Sequence, residues 1–253
     1  MIDQSALAVT PDQHHHTITL LDASAASALA EQVIAARAHW IERTPGLLHT
    51  LGAAAYLDAP DPPSLRAYGD EPPTERLYYP RVQASRPVLL SRFGPLYDTL
   101  RQALDAVLDA PTRYTDAQAL PGFHIYHSAA DHQLQRHHVP HYDRPYLHLD
   151  WEEPVDTDRT LSFTLPLRLP AVGGGLRLWP IDYLHMRELP REVVKQRLRS
   201  TPVGNIDYTP GTLVVHSGHH LHQIRAWAGA PGELRITLQG HAIRGNTHWL
   251  LYF

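Results

Sequence analysis

The sequence predicts a mainly β fold with flanking helices, on three observations. From Gly122 onward, short runs of β-branched and aromatic residues recur between turn signals. Before that point the chain carries helical patterns and a proline-rich stretch instead. Many short strands joined by loops favour a sandwich or jelly roll over a parallel sheet.

The helical front opens with Asp22 to Ile41, an Ala-rich segment with Asp and Ser near its start to cap it. A second helix is expected over Ser91 to Leu108, where Leu96, Leu100, Leu104 and Leu108 repeat every four residues as an apolar stripe. Between them, Leu57 to Arg81 holds many prolines and reads as irregular loop. The expected strands are Phe123–His127, Thr160–Leu169, Gly175–Trp179, Thr212–His216, Gln223–Trp227, Leu234–Ala242 and Thr247–Tyr252. Gly173-Gly174-Gly175 and Pro231-Gly232 supply turns, and Pro210-Gly211 sets up the strand that follows. Pro190 to Ser200 reads as a short helix inserted among the strands, with Pro in its first turn. The front is too small and too Ala-rich to fold alone, so one domain over 1–253 is expected. Within it, 1–120 is helical and loop-rich support and 121–253 is the β core.

Composition narrows the function. The 253 residues are 43% hydrophobic and 19% charged, ordinary for a soluble globular chain. A net charge of −4 gives no basic footprint, which argues against nucleic acid. No apolar run approaches the roughly 20 residues that span a bilayer, so no membrane partner is expected. The N-terminus lacks the basic and apolar regions of a secretory signal. Zero cysteine excludes disulfides and thiolate ligands and suits a cytoplasmic location. Gly-X-Gly-X-X-Gly, Gly-X-Ser-X-Gly and His-Glu-X-X-His are all absent, so dinucleotide binding, a nucleophile elbow and a zincin site are not supported.

The histidines carry the chemistry. Of 19, seven fall between His124 and His148 and six between His216 and His248. Within them stands His141-Tyr142-Asp143, with His222 far downstream and Arg235 following it by 13 residues. Two imidazoles and a carboxylate on one face of an iron leave the opposite positions open for a co-substrate and dioxygen. On an extended segment, positions 141 and 143 leave the same face, so both side chains reach one metal. Arg235 opens the strand after His222, and a ladder between the two strands would bring it to the same pocket. Its guanidinium suits a bidentate pair with a carboxylate. The residues alone leave rivals open, because His148-Leu149-Asp150 is a second His-X-Asp, and His219 and His220 compete with His222.

The stretches HYDRPYLHLDWEE, LSFTLPLRLPAVGGGLRLWP, YTPGTLVVHSGHHLHQI and LRITLQGHAI together resemble the core of the iron(II)/2-oxoglutarate-dependent oxygenases. The similarity covers about Pro121 to Phe253 and is to a little-described bacterial branch. It implies a double-stranded β-helix, a cupin-like jelly roll, behind an N-terminal helical section. It implies that the first His-X-Asp holds the metal, giving His141, Asp143 and His222, and that Arg235 binds 2-oxoglutarate. His216 and Gln239 are implied as partners that orient a ligand or the 2-oxo acid. The polar run Gln135-Arg136-His137-His138 is a departure from the family pattern. The cofactor set implied is Fe(II), 2-oxoglutarate as co-substrate and O2, with succinate and CO2 as co-products. The expected reaction is hydroxylation of a C–H bond in a small molecule, an amino acid or a natural-product intermediate. A carboxylate at Asp143, where halogenases leave room for chloride, argues against halogenation. Desaturation or ring closure uses the same ligands. The alternatives are a cupin-like sensor or dioxygenase without 2-oxoglutarate, and a protein or peptide hydroxylase. The protein is expected as a monomer or homodimer.

Trp151, Trp179 and Trp227 read as core or pocket lining. Arg159, Arg168 and Arg177 are either solvated strand positions or contacts to an acidic substrate, and Asp182 to Arg187 is a candidate pocket rim. His14-His15-His16 reads as surface histidine.

Overall fold

The computed structural model describes residues 14–59, 77–128 and 139–253. The polar run at 135–138 therefore lies outside the described residues, as does most of the proline-rich stretch.

Strand alternation builds the molecule. The chain forms β1 (His15–Thr19), α1 (Ala23–Ala35), β2 (Ile41–Thr44), β3 (Leu48–Leu51), α2 (Ala55–Asp58), α3 (Tyr78–Val107), β4 (Thr112–Tyr114) and β5 (Gly122–His127). Then come β6 (Asp156–Arg168), β7 (Val172–Gly173), β8 (Leu176–Asp182), α4 (Tyr183–Met186), α5 (Arg191–Ser200) and β9 (Gly204–Ile206). The chain closes with β10 (Thr212–Ser217), β11 (His220–Ile224), β12 (Trp227–Ala228), β13 (Leu234–Arg244) and β14 (Trp249–Tyr252). A nine-stranded sheet runs β1-β10-β6-β13-β5-β3-β2, with β14 and β4 joined at β13. A three-stranded sheet, β11-β8-β9, and a two-stranded one, β12-β7, complete the β structure among the described residues.

Within the large sheet, odd and even positions face different worlds. On β6, Leu161, Phe163, Leu165 and Leu167 join the main apolar core, as do Ile236, Leu238 and Ala242 on β13 and Phe123 and Ile125 on β5. That core is capped by Ala26, Ala30 and Val33 of α1 and by Leu89, Phe93, Leu96, Leu100 and Leu104 of α3. The intervening residues face the other way, and these are polar: Ser162 and Thr164, then Gln239 and His241, then His124. One face dry and one face polar is the pattern of an antiparallel sheet with helices on one side.

The front differs from expectation in ways the physics explains. α1 starts where expected, with the Asp22 carboxylate accepting from Ala25 N at 2.7 Å, but ends at Ala35. A 3-10 turn over Arg37–His39 follows, and Ile41 already belongs to β2. α3 begins at Tyr78, ahead of the expected Ser91, and so runs through Pro87 as well as Pro95, each of which removes a backbone hydrogen bond. Its buried residues (Tyr78, Val82, Leu89, Phe93, Leu96, Leu100 and Leu104) keep helical spacing throughout, and their packing outweighs the lost hydrogen bonds. β1, β2 and β3 also enter the large sheet, so the front contributes strands as well as helices.

Behind Gly122 the expected strands are present, with one division. The segment expected as Gln223–Trp227 is split between β11 and β12, which pair with different strands. β11 belongs to the small sheet and β13 to the large one. His222 and Arg235 are therefore not neighbours across one ladder, which corrects that part of the sequence reading. His222 reaches the cavity from the small sheet, while Arg235 lies on the large one against Tyr126 and Tyr208, which line that cavity.

Candidate metal centre and its cavity

A cavity of about 500 Å³ lies between the two sheets, lined by Ser162, Thr164, Gln239 and His241 of one and Leu176, His222 and Ile224 of the other. The front supplies a further wall through Thr44, Leu48, Tyr56 and Leu57. Sequence reasoning assigned the front no role in the pocket, because cavity walls depend on tertiary approach and leave no local pattern.

His141, Asp143 and His222 converge on this cavity, each offering a ligand atom within 4.8 Å of the other two. The local backbone explains how. His141 and His222 exchange reciprocal N–H···O bonds, both 2.9 Å, which form an isolated bridge between the 139–144 segment and β11. Asp143 N–H donates to Gly218 O at 2.9 Å, and Gly218 N–H donates in turn to Thr160 O at 3.1 Å. A side chain at Gly218 would place Cβ 2.8 Å from Thr160 Oγ1, so the close approach needs glycine there. The ligand segment is thus held by backbone pairing to the neighbouring turn and not by a strand of its own.

The donor set fits a divalent metal. His141 Nδ1 donates to Val139 O at 2.8 Å and His222 Nδ1 donates to His220 O at 2.9 Å, so in each ring Nε2 is the nitrogen whose lone pair is left for a cation. Each Nε2 faces Asp143, His222 at 3.2 Å from Oδ2 and His141 at 3.7 Å from Oδ1. Lone pairs opposed to a carboxylate at these distances call for a cation between them, whether proton or metal. Burial lowers the His222 pKa, but the adjacent Asp143 carboxylate more than reverses this and raises it. Burial likewise opposes the charge on Asp143, yet His222 leads the groups that hold it well below the usual carboxylate range. The Asp143 carboxylate also accepts from Ser162 Oγ at 2.7 Å, which fixes its plane. The side chains are 45% (His141), 20% (Asp143) and 6% (His222) exposed, so the group opens to one side only.

The rivals go elsewhere. Asp150 accepts from Tyr79 Oη at 3.1 Å, on α3, while His148 sits in the 3-10 turn Pro145–His148 and lines the cavity separately. His219 is buried against Tyr146 and Tyr183. His220 packs edge-on to His14, and burial takes its pKa down to about 4. His216 has its ring 4.7 Å from that of His222 and donates from Nδ1 to Ser217 O, with burial holding its pKa near 3. Gln239 lines the cavity. Asp182 to Arg187 does not line it: Tyr183 Oη instead accepts from Arg144 at 2.5 Å.

Arg235 is fully buried, and its Nη2 has no partner among the described residues. Nε donates to Gly174 O at 3.1 Å, and the guanidinium lies 5.6–5.8 Å from the ring centres of Tyr126, Tyr208 and Trp227. Burial lowers its pKa. No carboxylate neutralises it among the described residues. Arg235 does not itself line the cavity, but Tyr126 and Tyr208 do. A buried guanidinium in an aromatic box, with an idle N–H, fits a ligand carboxylate. Neither tyrosine was singled out in the sequence; Tyr126 pairs directly with Arg235 across β5 and β13, a register that no local pattern encodes. The other arginines bind elsewhere: Arg159 pairs with Asp109, and Arg168 with Glu31.

The fold is the double-stranded β-helix of the iron(II)/2-oxoglutarate oxygenases, with a His-X-Asp…His group between its sheets. Among solved structures, the chain is similar to an N-substituted L-amino acid dioxygenase in complex with alpha-KG from Burkholderia ambifaria. That match has 13% identity, covers 95% of this chain and 86% of the other, and has a TM-score of 0.54. The chain is also similar to the alpha-ketoglutarate-dependent epimerase SnoN from nogalamycin biosynthesis, at 14% identity over 96% and 87% of the two chains and a TM-score of 0.49. A prolyl-4-hydroxylase of Pseudomonas putida matches at 16% identity, 96% of both chains and a TM-score of 0.43. No family model and no curated protein matches the sequence.

Proposed function

We propose that the protein is an Fe(II)/2-oxoglutarate-dependent oxygenase that hydroxylates a C–H bond of a small molecule, with succinate and CO2 as co-products. The observation that carries this reading is the pairing of two features on one cavity. One is a two-His, one-carboxylate group with both Nε2 atoms turned toward the carboxylate; the other is a buried guanidinium, without a carboxylate partner among the described residues, packed against tyrosines of that cavity wall. A cupin-like metal protein that needs no 2-oxo acid has no use for the second.

His141, Asp143 and His222 would hold the iron, and Arg235 would take the distal carboxylate of 2-oxoglutarate. When bound, iron and 2-oxoglutarate supply the oxidising chemistry with O2. The chain's own work is placement. The bonds from His141 Nδ1 and His222 Nδ1 to backbone carbonyls fix ring orientation, and Ser162 fixes the carboxylate. Tyr126 and Tyr208 shield the guanidinium from water, which strengthens its hold on a carboxylate. A cavity of about 500 Å³ suits a small molecule beside the co-substrate. The similarity to an amino acid dioxygenase supports the fold and leaves the substrate to be found.

The test is succinate formation by the full chain with Fe(II), 2-oxoglutarate and ascorbate across a panel of amino acids and natural-product intermediates. Turnover that needs all three components and stops in Arg235→Ala is expected. Absence of both coupled and uncoupled 2-oxoglutarate turnover would sink the proposal.

A further inference from the structure

The hydrogen-bond directions beneath the metal group single out one more residue. Ser162 Oγ lies 2.7 Å from Asp143 Oδ2 and 3.1 Å from His241 Nδ1. A carboxylate oxygen only accepts, so the single Ser162 hydrogen goes to Asp143. His241 Nδ1 must then be the donor to Ser162, and its Nε2 carries a lone pair. The register places these groups: His241 of β13 sits directly opposite Ser162 of β6, and on its other side opposite Tyr252 of β14. His216 of β10 flanks Ser162 from the far side, but its Nδ1 hydrogen is used by Ser217 O, so it does not compete. His241 lines the cavity, and its Nε2 has no protein partner among the described residues.

We infer that His241 is a positioning and specificity residue: through Ser162 it orients the Asp143 carboxylate, and through Nε2 it accepts a hydrogen bond from the substrate. The substrate is then a small molecule bearing a hydroxyl, amine or amide N–H near the reacting carbon. A hydrocarbon or a carboxylate at that position leaves the Nε2 acceptor unpaired or opposed, and sites built around such a bond discriminate strongly. This inference rests on the proposed metal and 2-oxo acid chemistry, and it adds the substrate class.

Three variants separate the two roles. His241→Asn keeps an amide N–H near the position of Nδ1 and lacks anything at Nε2. His241→Phe removes both, and Ser162→Ala breaks the link. Mn(II) affinity of the full chain, measured calorimetrically without substrate, is expected to fall about 10- to 100-fold in His241→Phe and Ser162→Ala. In His241→Asn it is expected to stay within about twofold of the parent. The second readout uses matched probes, small alcohols and primary amides against their O-methyl and N,N-dimethyl counterparts, scored for stimulation of succinate formation. The donor-bearing members are expected to stimulate at least about tenfold more in the parent, with the preference lost in His241→Asn. If the parent binds no Mn(II), the metal reading fails and this inference with it. If the parent binds but His241→Phe binds equally well, or His241→Asn is as weak as His241→Phe, the positioning role alone is overturned. A panel in which methylated members act as well, or no donor-bearing member acts, overturns the substrate class.

Discussion

Asp143 is the residue on which the chain converges: its carboxylate meets His141, His222 and Ser162, and its N–H is tied to Gly218. Single replacement of His141, Asp143 or His222 by Ala should abolish Mn(II) binding in a calorimetric titration, while His219→Ala keeps it. Binding that survives in His222→Ala would move the distal ligand to a neighbour. Arg235→Ala should leave Mn(II) affinity within about twofold and weaken 2-oxoglutarate by about 10- to 100-fold, the scale of a lost charge-assisted bond. At this scale the grouping of His141, Asp143 and His222 was legible. A His-X-Asp, a distant His and a trailing Arg are local or chemically typed signals. The choice against His148 and His219 was not legible from residue type, because it depends on where Tyr79 and Tyr146 pack. His241 and Tyr126 escaped notice although the alternation in Arg235-Ile236-Thr237-Leu238-Gln239-Gly240-His241 already assigns alternate residues to one face. What the pattern lacks is which strands flank that face.

Among the elements, the β2–β3 hairpin and α2 depend on one buried carboxylate. Asp58, at the end of α2, is fully buried and binds both Arg43 of β2 and Arg81 of α3, and it also accepts from Ala54 N at 2.8 Å. This cluster holds in place the segment that carries Tyr56 and Leu57 to the cavity wall. Burial by itself raises the Asp58 pKa, but Arg43 and Arg81 more than compensate and leave it below the usual range. Asp58→Asn strands two arginines and should cost about 3–5 kcal/mol in a denaturant titration at neutral pH. A folded pKa below the unfolded one means the contribution is complete above about pH 4 and fades as pH falls through the folded value. The gap between parent and variant should therefore narrow under acid; a gap that stays constant below pH 4 would contradict the assignment. These front strands were illegible because they are only four residues each and show no regular alternation of buried and exposed positions. The second half of α3 was legible from its leucine repeat, Pro95 included, while the first half, from Tyr78 through Pro87, lacks that repeat and is held by packing that the sequence does not show.

At the scale of the molecule, the metal group ties the two sheets together. His222 belongs to the small sheet, Asp143 is bonded to Ser162 of the large one, and His141 bridges to β11. A metal bound there stabilises the folded state by mass action, about 2.7 kcal/mol at a hundredfold excess over Kd. Mn(II) should accordingly raise the melting temperature, a chelator should reverse the rise, and Asp143→Ala should show neither effect. Among the described residues no helix is long and apolar enough to cross a membrane. The most direct test of the whole reading is an anaerobic calorimetric titration of 2-oxoglutarate into the full chain, with and without Mn(II). One 2-oxoglutarate per chain is predicted, binding tightly only when Mn(II) is present and only weakly in Arg235→Ala. Binding that ignores the metal, or no binding to a chain already loaded with Mn(II), would contradict it.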